Sequence, residues 1–360
     1  MISLGFITIH PEQEVEYATN LAKYAAAYNI DFYRFTPFQL QPVSQKITGY
    51  KYNSDTNEWQ YDTFSLPMFI YDRCFYRGDS LSKKAIPIVN WLKQNPTITF
   101  LGYGLPNKWD VYTELIKDDN ISPYLPSTTK ITAEEQVTQL LRLHDAIILK
   151  PIAGAQGKGI VKLVQRFRII EASFYSKKGL QTKQFTQLAD FHAWLFNIMQ
   201  NGTYLAQPFI PLLSLQYSPL DVRVLLQKDK RGNWHEIGRG VRKGKEDSFI
   251  TNISYGASIS PFEELMKQLP PHKATFIADE ISSLCNRIPL ALEAQLPSLF
   301  ELGLDICISR DYSIWLLDLN SKPGRKTIIE TTPESTEEMY ENVMAYCSYL
   351  ATLPSSQHKE

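Results

Sequence analysis

The chain has 360 residues, of which 44% are hydrophobic and 21% charged, and a formal net charge of −1. That length suits two or three domains, the composition is that of an ordinary globular protein, and near-neutrality argues against nucleic acid or an anionic membrane surface as a partner. Apolar runs such as 146–149 and 209–213 fall far short of the ~20 residues of a membrane span, and the opening MISLGFITIH lacks the features of a secretory signal.

SLGFITI (3–9) reads as a strand, 12–29 as an Ala-faced helix and 31–35 as a second strand. YKYNSDTNEWQY alternates around a turn at 53–57, predicting a hairpin, and PMFIYDR (67–73) is a buried strand. The Gly/Pro-rich LGYGLPN (101–107) marks a boundary. Beyond it, 108–117 and 132–143 read as helices, the second with a capping box at Thr132 and Glu135. Strand AIILK (146–150), a glycine-rich turn and strand IVKLV (160–164) follow, then a helix over 185–200. From Tyr204 strands dominate: DVRVLLQKD and WHEIGRGVR joined at 230–233, then a helix at 271–286. GLDICIS (303–309) and SIWLLDLN (313–320) form the last strand pair, ahead of a helix at 334–350 and a polar tail from 354. The four cysteines are scattered with no C-x-x-C pair and read as reduced, buried thiols, and the six histidines show no metal-ligand spacing.

Three constellations carry chemistry. KPIAGAQGKGI (150–160) places Gly154, Gly157 and Gly159 beside Gln156 and Lys158, just after Lys150. Glycines there let backbone N–H groups cradle phosphate oxygens. Only two residues separate Gly154 from Gly157 and a β-branched strand follows, so this is a hairpin flap and not a P-loop. An ordinary glycine hairpin is the competing reading.

The second constellation is GLDICISRDYSIWLLDLNSKPG. A four-residue loop at 310–313 would set Ser309 opposite Ile314 and Asp305 directly opposite Asp318, with Asn320 on the same face. Like charges so opposed repel. Two carboxylates and an amide oxygen inside apolar strands therefore call for a cation, Mg²⁺ or Mn²⁺ rather than zinc.

In the third, Asp221 and Arg223 share a strand face, while Arg239 and Arg242 fall on opposite faces of the next strand, ahead of Thr251-Asn252. Arginines aimed into a phosphate site stabilise anionic transition states; cross-strand pairing with Asp221 and Glu236 is the alternative. Arg73, Arg77, Lys322 and Arg325 could line an acidic-substrate site or be solvated surface charges.

In this order the pieces resemble the ATP-grasp superfamily, and most nearly its YheC/YheD-type, endospore coat-associated group, over 107–327. The resemblance implies an α/β (α+β) fold in which two α+β subdomains sandwich ATP behind an N-terminal α/β domain. The expected divisions are 1–104, 105–206, 207–352 and a tail at 353–360. It implies that Lys108 and Lys150 reach the phosphates under the Gly154, Gln156, Gly157, Lys158 and Gly159 loop. Gln207, Phe209 and Ile210 would meet the adenine, and Asp221 and Arg223 the ribose side. Arg242 would stabilise the transferred phosphoryl, with Lys150 as its catalytic partner. Asn252 would lie near the substrate, and Asp305, Asp318 and Asn320 would hold one or two Mg²⁺, with Mn²⁺ an alternative. Asp318 departs from the superfamily's usual Glu, and Gln207 from its commoner Glu. The implied activity is Mg–ATP-dependent ligation of a carboxylate to an amine or thiol, on a small-molecule or peptide substrate, in a cytoplasmic, spore-associated protein. A kinase acting on a hydroxyl and a non-catalytic ATP-binding assembly protein are the alternatives.

Overall fold

The computed structural model describes residues 1–154, 157–200, 202–215, 218–246 and 248–354, so Gln156 lies outside the described residues. The chain opens with β1 (Ile2–Ile7), α1 (Val15–Ala25) and β2 (Ile30–Phe35). Next come β3 (Leu40–Gln41) and the expected hairpin, β4 (Lys46–Asn53) and β5 (Glu58–Ser65). β6 (Phe69–Asp72), α2 (Ser80–Gln94) and β7 (Thr99–Phe100) complete the first unit. Its sheet runs β3-β4-β2-β1-β6-β7, with β5 beside β4 and a parallel centre. A parallel sheet needs both faces covered. On one face Ala85, Val89 and Leu92 of α2 meet Ile7, Ile70 and Phe100. The sequence pattern hides α2 because Pro87 lies inside it, and an interior proline reads as a break. Asp79 caps the helix by accepting from the Ser82 N–H at 2.7 Å.

The middle unit contains α3 (Lys108–Leu115), β8 (Thr129–Ile131), α4 (Glu134–His144) and β9 (Ala146–Pro151). It continues with β10 (Val161–Arg166), β11 (Ile169–Ser176), β12 (Gly179–Phe185), α5 (Leu188–Met199) and β13 (Tyr204–Pro208). The sheet order is β12-β11-β10-β9-β13-β8, and one face is covered by Val137 and Leu141 of α4 with Phe191 and Leu195 of α5. The glycine run joins β9 to β10 with Leu149 opposite Val161, as the hairpin reading expects. Two expectations shift. Phe185 ends β12 rather than starting a helix. The capping side chain of α4 is Gln136, which accepts from the Thr132 and Ala133 N–H groups at 2.8 and 3.1 Å, one residue past Glu135.

The last unit begins with β14 (Ser214–Leu215), β15 (Ser218–Lys228), β16 (Trp234–Lys243) and β17 (Ser258–Pro261). Then come α6 (Phe262–Lys267), α7 (Pro271–Glu293), β18 (Glu301–Ile308), β19 (Ile314–Asn320), α8 (Lys326–Thr331) and α9 (Thr336–Leu350). α7 runs beyond Asn286 through Pro289. The sheet order is β17-β16-β15-β18-β19, with β14 beside β15.

Strand alternation gives this sheet two faces. At the back, Leu220, Val222 and Val224 share a core with Ile277, Ile281 and Leu284 of α7 and with Val111 and Leu115 of α3. This packing sets Lys108, the first residue of α3, beside the front face, which carries Asp221 and Arg223. α9 bridges two units: its Met339 packs with Leu225 of β15 and Ile237 of β16, while Val343, Met344, Tyr346 and Cys347 join Leu4, Leu21 and Phe69 to close the other face of the N-terminal sheet.

The glycines of G-R-G-V-R have a packing cause. α8 lies so close over β16 that a Cβ on Gly240 would come within 2.6 Å of Thr331 Oγ1 and 2.7 Å of Thr327 Cγ2. Gly240→Ala should therefore cost about 1–3 kcal/mol by overpacking, seen as a lower urea midpoint at unchanged slope. An unchanged midpoint would mean that α8 does not need this close approach.

Candidate functional site

The β18–β19 hairpin delivers Asp305 opposite Asp318, by a different route from the expected one. The loop is one residue longer at its start: Ile308 faces Ile314, and the Ser309 N–H bonds the Ser313 carbonyl at 2.9 Å. Asp311 holds this turn through the Ser309 and Ser313 hydroxyls at 2.5 and 3.1 Å, and Tyr312 adopts φ 68. A bulge between Asp305 and Ile306, with Leu317 as the extra residue on β19, restores the aspartate register. A bulged residue is unpaired in the ladder. The Leu317 carbonyl accepts instead from Lys150 Nζ at 3.0 Å, so the bulge ties the two subdomains together.

Four cations and three carboxylates meet in this cleft. Lys108 pairs closely with Asp318 Oδ2. Arg223 donates to Asp305 Oδ2 at 3.1 Å, with its Nε 2.6 Å from Oδ1. Arg242 grips Asp221 with two hydrogen bonds of 2.7 and 2.6 Å and lies 3.0 Å from Asp305 Oδ1. The Thr251 hydroxyl donates to Asp221 Oδ2. Arg242 thus pairs across strands with Asp221 and also bridges two carboxylates. Arg239, on the back face, pairs with Glu236 at 2.5 Å.

The electrostatics follow from burial opposed by these partners. Burial raises the Asp318 carboxyl, but Lys108 and Lys150 outweigh it and hold the group below the usual carboxylate range. Burial lowers the Lys150 ammonium, which Asp318 only partly offsets, and brings it to about 8. Burial would also lower Arg242, but Asp221 and Asp305 raise it above its ordinary value.

The two subdomains also touch at the loop. Gly157 has φ 73, and a Cβ there would lie 2.5 Å from Asn252 Oδ1. Tyr175 of β11 donates to Ser248 Oγ at 2.9 Å, and its ring centroid lies 4.5 Å from that of Tyr255. Gly154 and Gly159 flank this contact, and Lys158 is exposed. At the end of β13, the Gln207 amide donates to Thr128 Oγ1 at 2.7 Å, and the Phe209 N–H bonds the Ala146 carbonyl at 2.9 Å. Lys162 Nζ lies 4.0 Å from the Phe209 ring centroid.

Three of the four basic residues considered for an acidic substrate are neither solvated nor open. Arg73 is 0% exposed. It bonds Glu14 at 2.8 and 3.1 Å, Glu301 at 2.5 Å and the Pro323 carbonyl at 3.1 Å. Arg325 pairs with the same Glu14 at 2.7 Å, and Lys322 with Asp72 at 2.7 Å. Arg77 remains exposed. These pairs join the N-terminal unit to the loop after Asn320. Glu14 and Glu301 are far from the arginines in sequence, so no local signal announces them. The four cysteines are free and buried, as expected.

No group of three or more His, Cys, Asp or Glu able to hold a metal occurs among the described residues. A cation here would rest on Asp305, Asp318 and the Asn320 amide, completed by oxygens from outside the chain. The residues fit that role. Asp305 Oδ1 is buried without a well-formed hydrogen bond, despite its close guanidinium neighbours. The donor set is all oxygen, which suits Mg²⁺ or Mn²⁺. A cation arriving with phosphates would supply the missing oxygens.

Comparison with known proteins follows the same line. The family model for YheC/D like ATP-grasp matches residues 97–350. The endospore coat-associated protein YheC of Bacillus subtilis (strain 168) is 38% identical over 350 residues, covering 97% of this chain and 96% of that protein. Among solved structures, D-alanyl-alanine synthetase A from Vibrio cholerae O1 biovar eltor str. N16961 aligns with TM-score 0.57 and 10% identity, over 96% of this chain and 97% of that one. The ATP-grasp ligase PsnB, complexed with a phosphomimetic variant of a minimal precursor, Mg and ADP, aligns with TM-score 0.52 and 14% identity, over 95% and 98%. These two likenesses establish the fold. No helix among the described residues is long and apolar enough to cross a membrane.

Because Lys108 pairs with Asp318, a divalent metal held by that carboxylate would compete with it. Lys108→Gln should tighten Mn²⁺ binding to the nucleotide-free protein, measured by electron paramagnetic resonance, while weakening nucleotide binding. Mn²⁺ binding that is unchanged or weaker would contradict the competition.

Proposed function

The chain belongs to the YheC/D-like ATP-grasp family, and on that premise we propose that it is a Mg–ATP-dependent ligase joining a carboxylate to an amine. The observation that carries this reading is the cleft itself. Lys108 and Lys150 converge on Asp318, and Arg242 converges on Asp305, so phosphate-binding cations surround a hard-metal site.

In this reading the polyphosphate draws Lys108 off Asp318 and Lys150 off the Leu317 carbonyl. Asp305 and Asp318, with Asn320, would hold the divalent cation, which would supply positive charge to offset that of the phosphates. The substrate carboxylate attacks the γ-phosphorus, the bond to the ADP oxygen breaks, and ADP departs. The amine then attacks the acyl carbon, the C–O bond to phosphate breaks, and the amine proton passes to solvent. Arg242 is positioned for the charge that develops in both steps, and Asn252 and Gly157 close the cleft over the reacting atoms. Glycines 154, 157 and 159 and Lys158 cover the phosphates. The Ile210 N–H and Phe209 carbonyl take the adenine edge, since the Phe209 N–H is already engaged. Asp221 and Arg223 act by fixing Arg242 and Asp305.

A ligase needs no nucleophilic side chain. A kinase acting on a hydroxyl would gain from a carboxylate free to accept a proton; Asp221 and Asp305 are ion-paired with arginines, and in this reading Asp318 is committed to the cation. This favours ligation. The fold neighbours include one solved with a variant of a minimal precursor, and a peptide or small-molecule acid is the substrate class of this proposal. Association with the endospore coat, carried in the name of the B. subtilis relative, belongs to the same proposal.

Incubation with Mg–ATP and panels of acids and amines, followed by mass spectrometry, tests the reaction. A coupled product with ADP and phosphate supports a ligase. A phosphorylated metabolite would replace that reading with a kinase, and no ADP with any pair would replace it with a binding protein.

Two further outcomes are expected. Arg242→Lys should lower turnover by more than about tenfold, the scale of losing a transition-state charge contact, with nucleotide affinity little changed. Lysine keeps a charge between Asp221 and Asp305, so folding is better preserved than with alanine. Lys150 has a second signature. Burial brings its pKa to about 8, and bound phosphate should raise it, since anions favour the charged form. Above pH 8, nucleotide binding should therefore take up a proton and weaken as pH increases. Titration calorimetry in buffers of differing ionisation heat reads this uptake, and Lys150→Arg should abolish it. Uptake unchanged in that variant would remove Lys150 from the phosphate site.

A further inference from the structure

Asn320 is the last residue of β19 and pairs with Gly303 of β18. Strand pairing stops there, so the place of its amide depends on the loop that follows. That loop turns back over β18, where a Cβ on Gly303 would lie 2.7 Å from Pro323 Cβ. Its polar side chains are tied to distant parts of the chain. Ser321 Oγ accepts from the Leu105 N–H at 2.9 Å. Lys322 donates to the Cys74 carbonyl at 2.9 Å and pairs with Asp72 at 2.7 Å. Arg325 donates to Glu14 at 2.7 Å. These partners lie in the N-terminal unit or in the connection just after it.

Arg73 is the centre of this arrangement. Its fully buried guanidinium uses every nitrogen: Nε and Nη2 donate to Glu14, Nη2 also to the Pro323 carbonyl, and Nη1 to Glu301. The last two contacts bear on the cleft. Pro323 closely follows Asn320, and Glu301 lies ahead of Asp305 on the same face of β18. One planar fork therefore joins the loop behind one candidate metal ligand to the strand that carries another. A guanidinium suits the task because its donors are fixed in a plane, which an ammonium cannot copy. Groups just outside a metal's ligands commonly set how those ligands are aimed. We infer that Arg73 is a positioning residue for the metal site, acting through Pro323 and Glu301 to hold the Asn320 amide in line with Asp305 and Asp318.

This inference rests on the metal site of the proposed function, and its test does not use turnover. Calorimetry of a non-hydrolysable ATP analogue, with Mn²⁺ present and with metal chelated, reads the affinity gained from the metal. The full-length protein should show such a gain. Arg73→Lys keeps a charge between Glu14 and Glu301 but lacks the fork. It should cut the gain about tenfold or more, the scale of losing a group that orients a metal ligand, with metal-free binding little changed. Amide hydrogen exchange across 320–326 should quicken in the same variant. Val89→Ala leaves a cavity in the core of the N-terminal unit, away from the loop. It should lower the melting temperature and keep the gain. Should Arg73→Lys fail to fold, Glu14→Gln loosens the same guanidinium and should reduce the gain in the same direction. A gain unchanged in the folded Glu14 or Arg73 variant, or lost equally in Val89→Ala, would overturn the inference and leave the metal site standing. No gain in the unaltered protein would remove the metal site itself, and the inference with it.

Discussion

Asp305 and Asp318 face each other across adjacent antiparallel strands, where opposed residues have Cβ atoms about 4.5–5.5 Å apart and like charges repel. The cleft is organised by how that repulsion is relieved. Within the protein it is relieved by cations: Lys108 on Asp318, and Arg223 and Arg242 on Asp305. Each of those cations comes from a different element, so each pair is also a tertiary constraint. Lys108 starts a helix that packs behind the C-terminal sheet. Arg223 and Arg242 sit on the neighbouring strands of that sheet, and Lys150 reaches across from the other subdomain to the bulged carbonyl beside Asp318.

The same pairs define what the cleft can accept. A bare divalent ion would have to displace Lys108 and would find few protein oxygens. A bare polyphosphate would meet Asp305 and Asp318 unscreened. In the proposed reading, a metal–polyphosphate complex would satisfy both sides at once, giving phosphates to the lysines and metal to the carboxylates. The near balance of four cations and three carboxylates in the cleft fits that reciprocity.

The opposition of Asp305 and Asp318 was legible in the sequence for a partly fortuitous reason. Simple hairpin counting opposed Asp305 to Asp318; the true loop is one residue longer, and the bulge at Leu317 cancels the difference. Arg239 and Arg242 were correctly placed on opposite faces, because strand alternation is local. Helices α2 and α7 were missed or cut short by Pro87 and Pro289, whose effect depends on tertiary packing. The β11–β12 hairpin is polar and partly exposed, so it carries little periodic signal. The burial of Arg73 between Glu14 and Glu301 was invisible because its partners lie 59 and 228 residues away. Likewise, nothing in the sequence indicates that α9 packs mainly against the first domain while Met339, near its start, stays on the last sheet.

The central claim is that nucleotide and metal together take over the charges that the protein pairs within itself. A crystal structure with Mn²⁺ and a non-hydrolysable ATP analogue tests it most directly. The account predicts an anomalous manganese peak against Asp305 and Asp318, with Lys108 moved from Asp318 to a phosphate oxygen. Bound nucleotide with Lys108 still paired to Asp318, and no manganese at the two carboxylates, would contradict it.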